Sequence, residues 1–276
     1  YARSALSTAQ HLLVPRGLRL FGGGAQAALA AYGVIQGMSL PILLFPAALI
    51  AVIADLIVPE LTEAQVQGRL RGLGYMLERL YRLGLFFSMA VAGACFFFAH
   101  PLGELIYSEP AAGQYIRLLA PLVPIMYMDT LVDGMLKGVG EYRANMRYNI
   151  IDAATGLLLV WLLLPRYGVA GYLFSISATE LLNFALSAAR LTRVTVFRLQ
   201  PLCWLLTAAA AVGGWWLLRL IFGRLLSRTG QPLILLLLVF LYLACYGAAL
   251  LLCGALRREE LSWLFSLLRG EKSPKT

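Results

Sequence analysis

Seven runs of roughly 20 mostly apolar residues follow one another along the chain, near 32–57, 80–99, 114–136, 147–164, 168–189, 201–222 and 232–254. Short, charge-bearing connections separate them. Each run is long enough to cross a bilayer core of about 30 Å as a helix. A water-soluble fold has no room for so much apolar surface. The composition agrees: 60% of residues are hydrophobic and 13% charged, with a mean hydropathy of +0.76. Soluble domains run at roughly 45–50% and about 25%. A cytosolic α/β enzyme, a nucleic-acid module and a disordered scaffold are excluded, and the expected fold class is an all-α, polytopic integral membrane bundle.

The net charge of +9, from 23 basic and 14 acidic side chains, is arranged by topology. Arg69, Arg71, Arg79 and Arg82 follow the first span, and Lys137, Arg143 and Arg147 follow the third. Arg190, Arg193 and Arg198, then the C-terminal basic residues, fall on the same side, giving fifteen there. The other side carries six: Arg16, Arg19, Arg166, Arg219, Arg224 and Arg228. The positive-inside rule places the fifteen in the cytoplasm, with the C-terminus. The 101–110 loop and the 165–168 turn then face outward, and Arg219, Arg224 and Arg228 run against the rule.

Residues 1–14 read as the end of an earlier helix. The chain begins at Tyr1, without an initiator Met or a signal peptide, so the expectation is a fragment lacking an N-terminal part. The expected order is this truncated helix, a lobe region over 15–190 with five full spans, two additional helices over 201–254, and a cytoplasmic amphipathic tail over 257–276. The stretches 64–80 and 257–269 each gather leucines on one helical face, as interfacial helices do. A solvated elbow reads equally well.

Prolines interrupt two spans: Pro41 and Pro46 in the first, Pro121 and Pro124 in the third. Each removes a backbone donor and kinks its helix. In lipid such breaks survive where protein or a watery cavity answers the freed groups. They are candidate gating points, or static kinks used for packing.

Charges within spans cost about 2.5–3.5 kcal/mol each on insertion scales. Glu180 lies near the middle of the 168–189 run, with Asn183 a turn further on. Asp129 and Asp133 share a face of the 114–136 run, which also holds Arg117. Arg3 lies in the truncated helix. Glu180, Asp129, Arg117, Arg3 and Asn183 are the candidates for lining a polar cavity that handles protons, cations or a charged head group. Interhelical pairs that fix packing are the other reading. Asp55 and Asp152 lie nearer span ends. Gly134 and Gly138 form a GxxxG pair suited to close helix packing.

No catalytic signature is present. His11 and His100 are the only histidines, and no HExxH or GxSxG occurs. Asp129, Asp133 and Gly134 overlap the acidic motif of membrane phosphatidyltransferases, but its second aspartate pair is missing. The four cysteines sit in apolar runs as small hydrophobes. The expectation is a non-enzyme without cofactor or metal, and without a nucleic-acid partner.

The stretch AYGVIQGMSLPILLFPAALIAVIADLIVPELTEA resembles the eighth helix of stage V sporulation protein B-like proteins. These belong to the polysaccharide-exporter branch of the multidrug/oligosaccharidyl-lipid/polysaccharide flippase superfamily. SALSTAQHLLVPRGL is similar to the end of their seventh helix. LAPLVPIMYMDTLVDGMLKGVGEYRANMRYNIID resembles the tenth helix and its connection to the eleventh. LLLPRYGVAGYLFSISATELLN resembles the hairpin from the eleventh to the twelfth. The resemblance implies the C-terminal lobe of a 14-helix transporter with alternating access, in the bacterial cytoplasmic membrane. In the lipid II flippases of this superfamily an arginine precedes the Phe-Pro step of the eighth helix. Here Leu40 and Pro41 precede Phe45 and Pro46.

The implied cargo is a lipid-linked, anionic cell-envelope saccharide, a peptidoglycan or polysaccharide precursor, with a link to sporulation. Its partners would be membrane lipids, the missing lobe, and H+ or Na+ taken up at Glu180 or Asp129. Two alternatives stand beside it: a cation-coupled drug or small-solute exporter of the same superfamily, and a non-transporting scaffold for envelope synthesis.

Overall fold

The computed structural model describes residues 2–21, 24–197, 200–226 and 231–253. Every regular element among them is a helix. The chain divides into two compact units, Tyr1–Leu199 and Gln200–Thr276.

The first unit begins with α1 (Ala2–Arg19). This helix runs past Pro15, five residues beyond the expected end at 14. A broken helical run follows: α2 (Ala25–Val34), a π-turn (Ile35–Ser39), α3 (Leu40–Leu44) and α4 (Ala47–Val66). Then come α5 (Leu70–Phe97), the short α6 (Ala99–Tyr107), α7 (Pro110–Leu119), a 3-10 turn (Ala120–Leu122) and α8 (Val123–Gly138). The unit closes with α9 (Tyr142–Val194).

α9 has 53 residues and would reach about 80 Å if straight, far more than a bilayer core of about 30 Å. Gly168 resolves the excess. Its φ of 56° and ψ of −130° lie outside helical space, in a region open to glycine. A Cβ placed on Gly171 would lie 2.8 Å from the Leu163 carbonyl oxygen, so the chain has folded back on itself. The first arm, 142–167, and the second, 169–194, are therefore antiparallel spans. Apolar helices of spanning length also cover Ala25–Leu44, Leu70–Phe97, Pro110–Gly138, Pro201–Gly223 and Pro232–Leu252. The protein is a multi-pass membrane protein.

The α2–α4 run shows how a break is tolerated in lipid. Pro46 lacks an N–H, and the helix ladder parts at 45–46. The phenol of buried Tyr127 on α8 enters the gap. Its Oη donates to the Leu43 carbonyl at 2.6 Å. Ser39, at the end of the π-turn, donates to the Ala112 carbonyl of α7 at 3.1 Å.

Further along, α4 lies against α8 through small residues. A Cβ on Gly134 would fall 2.7 Å from the Ala54 Cβ, and one on Gly138 2.7 Å from the Leu61 Cβ. The close approach lets Thr62 Oγ1 donate to the Gly138 carbonyl at 3.0 Å. Such contacts replace the hydrophobic drive that lipid cannot supply between helices.

The stretch 64–80 differs from a separate interfacial helix. Gly68 turns the chain at φ 67°, and α5 then runs unbroken into the membrane. Leu73, Leu77 and Leu80 are buried, while Val66 and Leu70 stay exposed. Protein takes up the leucine stripe: Gly74 faces Val196, and the Tyr81 ring lies 5.0 Å from that of Phe197. The stretch 257–269 lies outside the described residues.

In the second unit α10 (Pro201–Leu226) packs on α11 (Pro232–Leu252). Gly214 allows the approach, since its Cβ would meet the Tyr246 backbone at 2.9 Å.

Gly134→Val should destabilise the first unit by about 1–3 kcal/mol, because the added methyls meet the α4 backbone. Gly33→Ala, with open space around its Cβ, should be neutral or stabilise by up to about 1 kcal/mol. Unfolding of the two variants in mixed micelles checks the contrast.

Candidate functional site

α8 and the two arms of α9 meet along a seam of polar side chains. From α8 come Asp129 and Asp133, one turn apart. The second arm supplies Glu180, Asn183 and Ser187, and the first arm Asn145, Asn149 and Asp152. On each helix the spacing of three, four or seven residues keeps the set on one face.

Asn183 Nδ2 donates to Asp129 Oδ2 at 2.8 Å. One turn away Asp133 is held from both arms. Ser187 Oγ donates to its Oδ1 at 3.1 Å and Asn149 Nδ2 to its Oδ2 at 3.0 Å. Asn145 Nδ2 donates to the Asp133 backbone carbonyl at 3.2 Å. Beyond this rung Arg190 forms a bidentate ion pair with Glu141, its Nη2 2.9 Å from both carboxylate oxygens. The seam thus runs from mid-membrane to the end of the lobe that holds the α8–α9 connection. Glu180 lies twelve residues from Gly168, about 18 Å along the arm, near the bilayer centre.

The seam is rich in acid and in acceptors. The carboxylates of Asp133, Glu180 and Asp152 all act electrostatically on Asp129. Asp129 Oδ1, Asn183 Oδ1 and Asn149 Oδ1 are buried without a hydrogen-bond partner. Asn183 and Asn149 are 4% and 6% exposed, so bulk water does not reach them freely. Buried acceptors of this kind attract a donor: an internal water, a proton or a cation.

The structure therefore brings together Glu180, Asp129 and Asn183. It does not bring Arg117 to them. That residue lies twelve positions before Asp129, about 18 Å along the same span, with its guanidinium 5.1 Å from the Phe96 ring centroid. The Arg3 side chain lies outside the described residues. Pro46 lies in the break that Tyr127 fills, and Pro41 in the first turn of α3. Pro121 sits in the 3-10 turn and Pro124 at the start of α8.

Asn145, Asn149 and Ser187 are not among the candidates that the sequence offers, and neither is Asp133, which shares a face with Asp129. The signal available was the 145–149–152 spacing, a polar stripe in an otherwise apolar helix. Those candidates also omit an uncharged cluster at the π-turn, where Tyr172 Oη donates to Gln36 Oε1 at 3.0 Å and Tyr32 meets the Tyr172 ring edge-on at 5.0 Å.

Residues 19–162, just over half of the chain, match the MatE family. The chain belongs to the MatE family. Among curated relatives it is similar to Stage V sporulation protein B of Bacillus subtilis strain 168, with 26% identity over 185 residues. That alignment covers 66% of this chain and 36% of the relative. Sporulation protein YkvU of the same organism is 22% identical over 160 residues, 58% of this chain and 36% of its own length. The chain spans about a third of the length of the curated relatives it matches. The MatE match contains Asp129, Asp133, Asn145, Asn149 and Asp152. Glu180, Asn183 and Ser187 lie beyond it.

A double-mutant cycle separates the two ends of the seam. Asp129 and Asn183, paired in the bundle, should couple by about 1–3 kcal/mol, because losing one strands a buried polar group. Glu141 and Arg190, partly exposed, should couple by about 1 kcal/mol or less. Unfolding free energies of the single and double leucine variants read the difference.

Proposed function

We propose that this MatE-family chain forms one lobe of a flippase moving a lipid-linked, anionic cell-envelope saccharide across the bacterial cytoplasmic membrane by alternating access. The observation that carries the reading is the acidic seam, whose buried acceptor oxygens lack partners at the level of Asp129. Open acceptors beside clustered carboxylates suit a site that takes up and releases H+ or Na+. Asp129 and Glu180 are the coupling groups in this reading, and Asn183 positions Asp129. Coupling then biases the lobe between two packings, as a ligand biases any two-state protein.

The anionic head group of such a cargo needs cations, and the acidic seam does not offer them. Arg117, exposed on α7, is the described candidate, with Arg3 beside it in sequence reasoning. A second lobe would complete the passage. Similarity to a protein named for stage V of sporulation supports a role in sporulation. The charge distribution supports a cytoplasmic C-terminus.

The acid surplus also favours a second reading, export of organic cations coupled to an inorganic one. Reconstitution of the full-length protein in proteoliposomes decides between them. An assay of head-group accessibility should show translocation of an undecaprenyl-linked saccharide, reduced at least about tenfold by Asp129→Asn or Glu180→Gln, the scale of one lost charge interaction. Efflux of an organic cation without movement of any undecaprenyl-linked substrate would overturn the flippase reading.

A further inference from the structure

The opposite end of the same lobe carries a feature that cation coupling does not use. The C-terminal turn of α1 packs onto the α9 hairpin. A Cβ on Gly17 would lie 3.1 Å from the Leu164 Cβ and 3.9 Å from Pro165 Cδ. Beside this contact a groove of about 300 Å³ opens between α1 and the first arm of α9. Leu13, Leu20, Val160 and Trp161 form its apolar walls, and Arg16 stands on its rim. Trp161 is 62% exposed and Leu20 68% exposed, so the walls face out of the bundle.

Charge gathers here. Arg19 lies one turn beyond Arg16, and Arg166 directly follows Pro165 at the groove's end; all three are exposed. Among the described residues none forms an ion pair with Arg16, Arg19 or Arg166. The negative end of α1 accounts for a cation in its last turn. It accounts neither for Arg166, in the hairpin turn, nor for an apolar groove beneath the cations. At the level where a spanning hairpin turns, the bilayer supplies one anion with hydrocarbon attached: the phosphate of a phospholipid. Tryptophan at this depth is characteristic of the interface.

We propose that this groove binds an anionic phospholipid, its phosphate on Arg16 with Arg19 and Arg166 nearby, and the start of an acyl chain along Leu13, Leu20 and Trp161. The volume is at the low end for ligand pockets, enough for the head-proximal part of one lipid and no more. A phosphate diester balanced by choline lacks the net charge that three exposed arginines favour, so phosphatidylglycerol is preferred over phosphatidylcholine. The site is independent of the cargo and of the seam.

The test uses the full-length protein in mixed micelles, titrated with phosphatidylglycerol or phosphatidylcholine and read by native mass spectrometry. The wild type should retain phosphatidylglycerol in preference. Arg16→Gln should lower that retention about fivefold, the weight of one basic residue near a membrane surface. Trp161→Ala, which keeps every charge and alters an exposed side chain, should lower it too. Equal retention of the two lipids would overturn the proposal, as would full retention by Arg16→Gln. Retention unchanged in Trp161→Ala would also overturn it, since a diffuse basic surface needs no groove. Asp129→Asn should bind phosphatidylglycerol as the wild type does, whatever its effect on transport.

Discussion

Hydrocarbon offers no hydrogen-bond partner, so each polar group that enters the bilayer must be answered by another part of the protein. In this lobe much of that burden falls on α8. Its Tyr127 hydroxyl enters the gap left at Pro46, its glycines admit α4 closely, Gly134 at the Ala54 backbone and Gly138 at the Leu61 side chain, and its two aspartates are met by both arms of α9. Remove α8 and the α2–α4 run has an unfilled break, while the α9 arms keep amides facing lipid.

Helical register explains how one helix serves both tasks. Tyr127, Gly134 and Gly138 are spaced by seven and four residues and form a single stripe at about 100° per residue. Asp129 lies about 200° from Tyr127 and Asp133 about 240°, on the opposite face. One side of α8 is therefore shaped for close packing and plugging, and the other for charge. The 3-10 turn at Ala120–Leu122 sits upstream of both sets, where α7 joins α8. α7 and α8 together give a span of 29 residues, while register-sensitive contacts fall on the α8 segment.

Much of this architecture is legible in the amino-acid order. Apolar length gives the spans, and Pro-Arg-Tyr-Gly at 165–168 gives the hairpin, because glycine alone enters the required φ without strain. Asp129 and Glu180 are legible as costly charges in oil. Their partners are not. Asn183 and Asp129 are 54 residues apart, as are Ser187 and Asp133, and no local pattern encodes which faces meet across a hairpin. An amide in an apolar helix carries no net charge and so attracts little notice, yet Asn149 joins Asp133 and the Asn145 carbonyl in one hydrogen-bonded group. The leucine stripe at 73–80 misleads for a related reason: amphipathicity shows that a face is buried, not whether lipid or protein buries it.

The two faces of α8 differ in how firmly they hold. On the acidic side Asp129 and Asp133 are tied to α9 by side-chain bonds from three different residues, and Asn145 adds a fourth to the backbone. On the other side the break at 45–46 is closed by a single phenol. Four side-chain bonds therefore hold the seam, against the bond of one phenol at the break. Beyond the break lie a π-turn and exposed Gly33 and Gly37, which have nothing within 4 Å of their Cβ positions. For the rearrangement that the proposed function requires, the sparse packing between α2 and α4 favours bending there, with α8 and the α9 hairpin kept together. In the proposed transport cycle a proton or cation at Asp129 would act on the joined α8–α9 pair, and the bend would fall where the helix ladder is already parted.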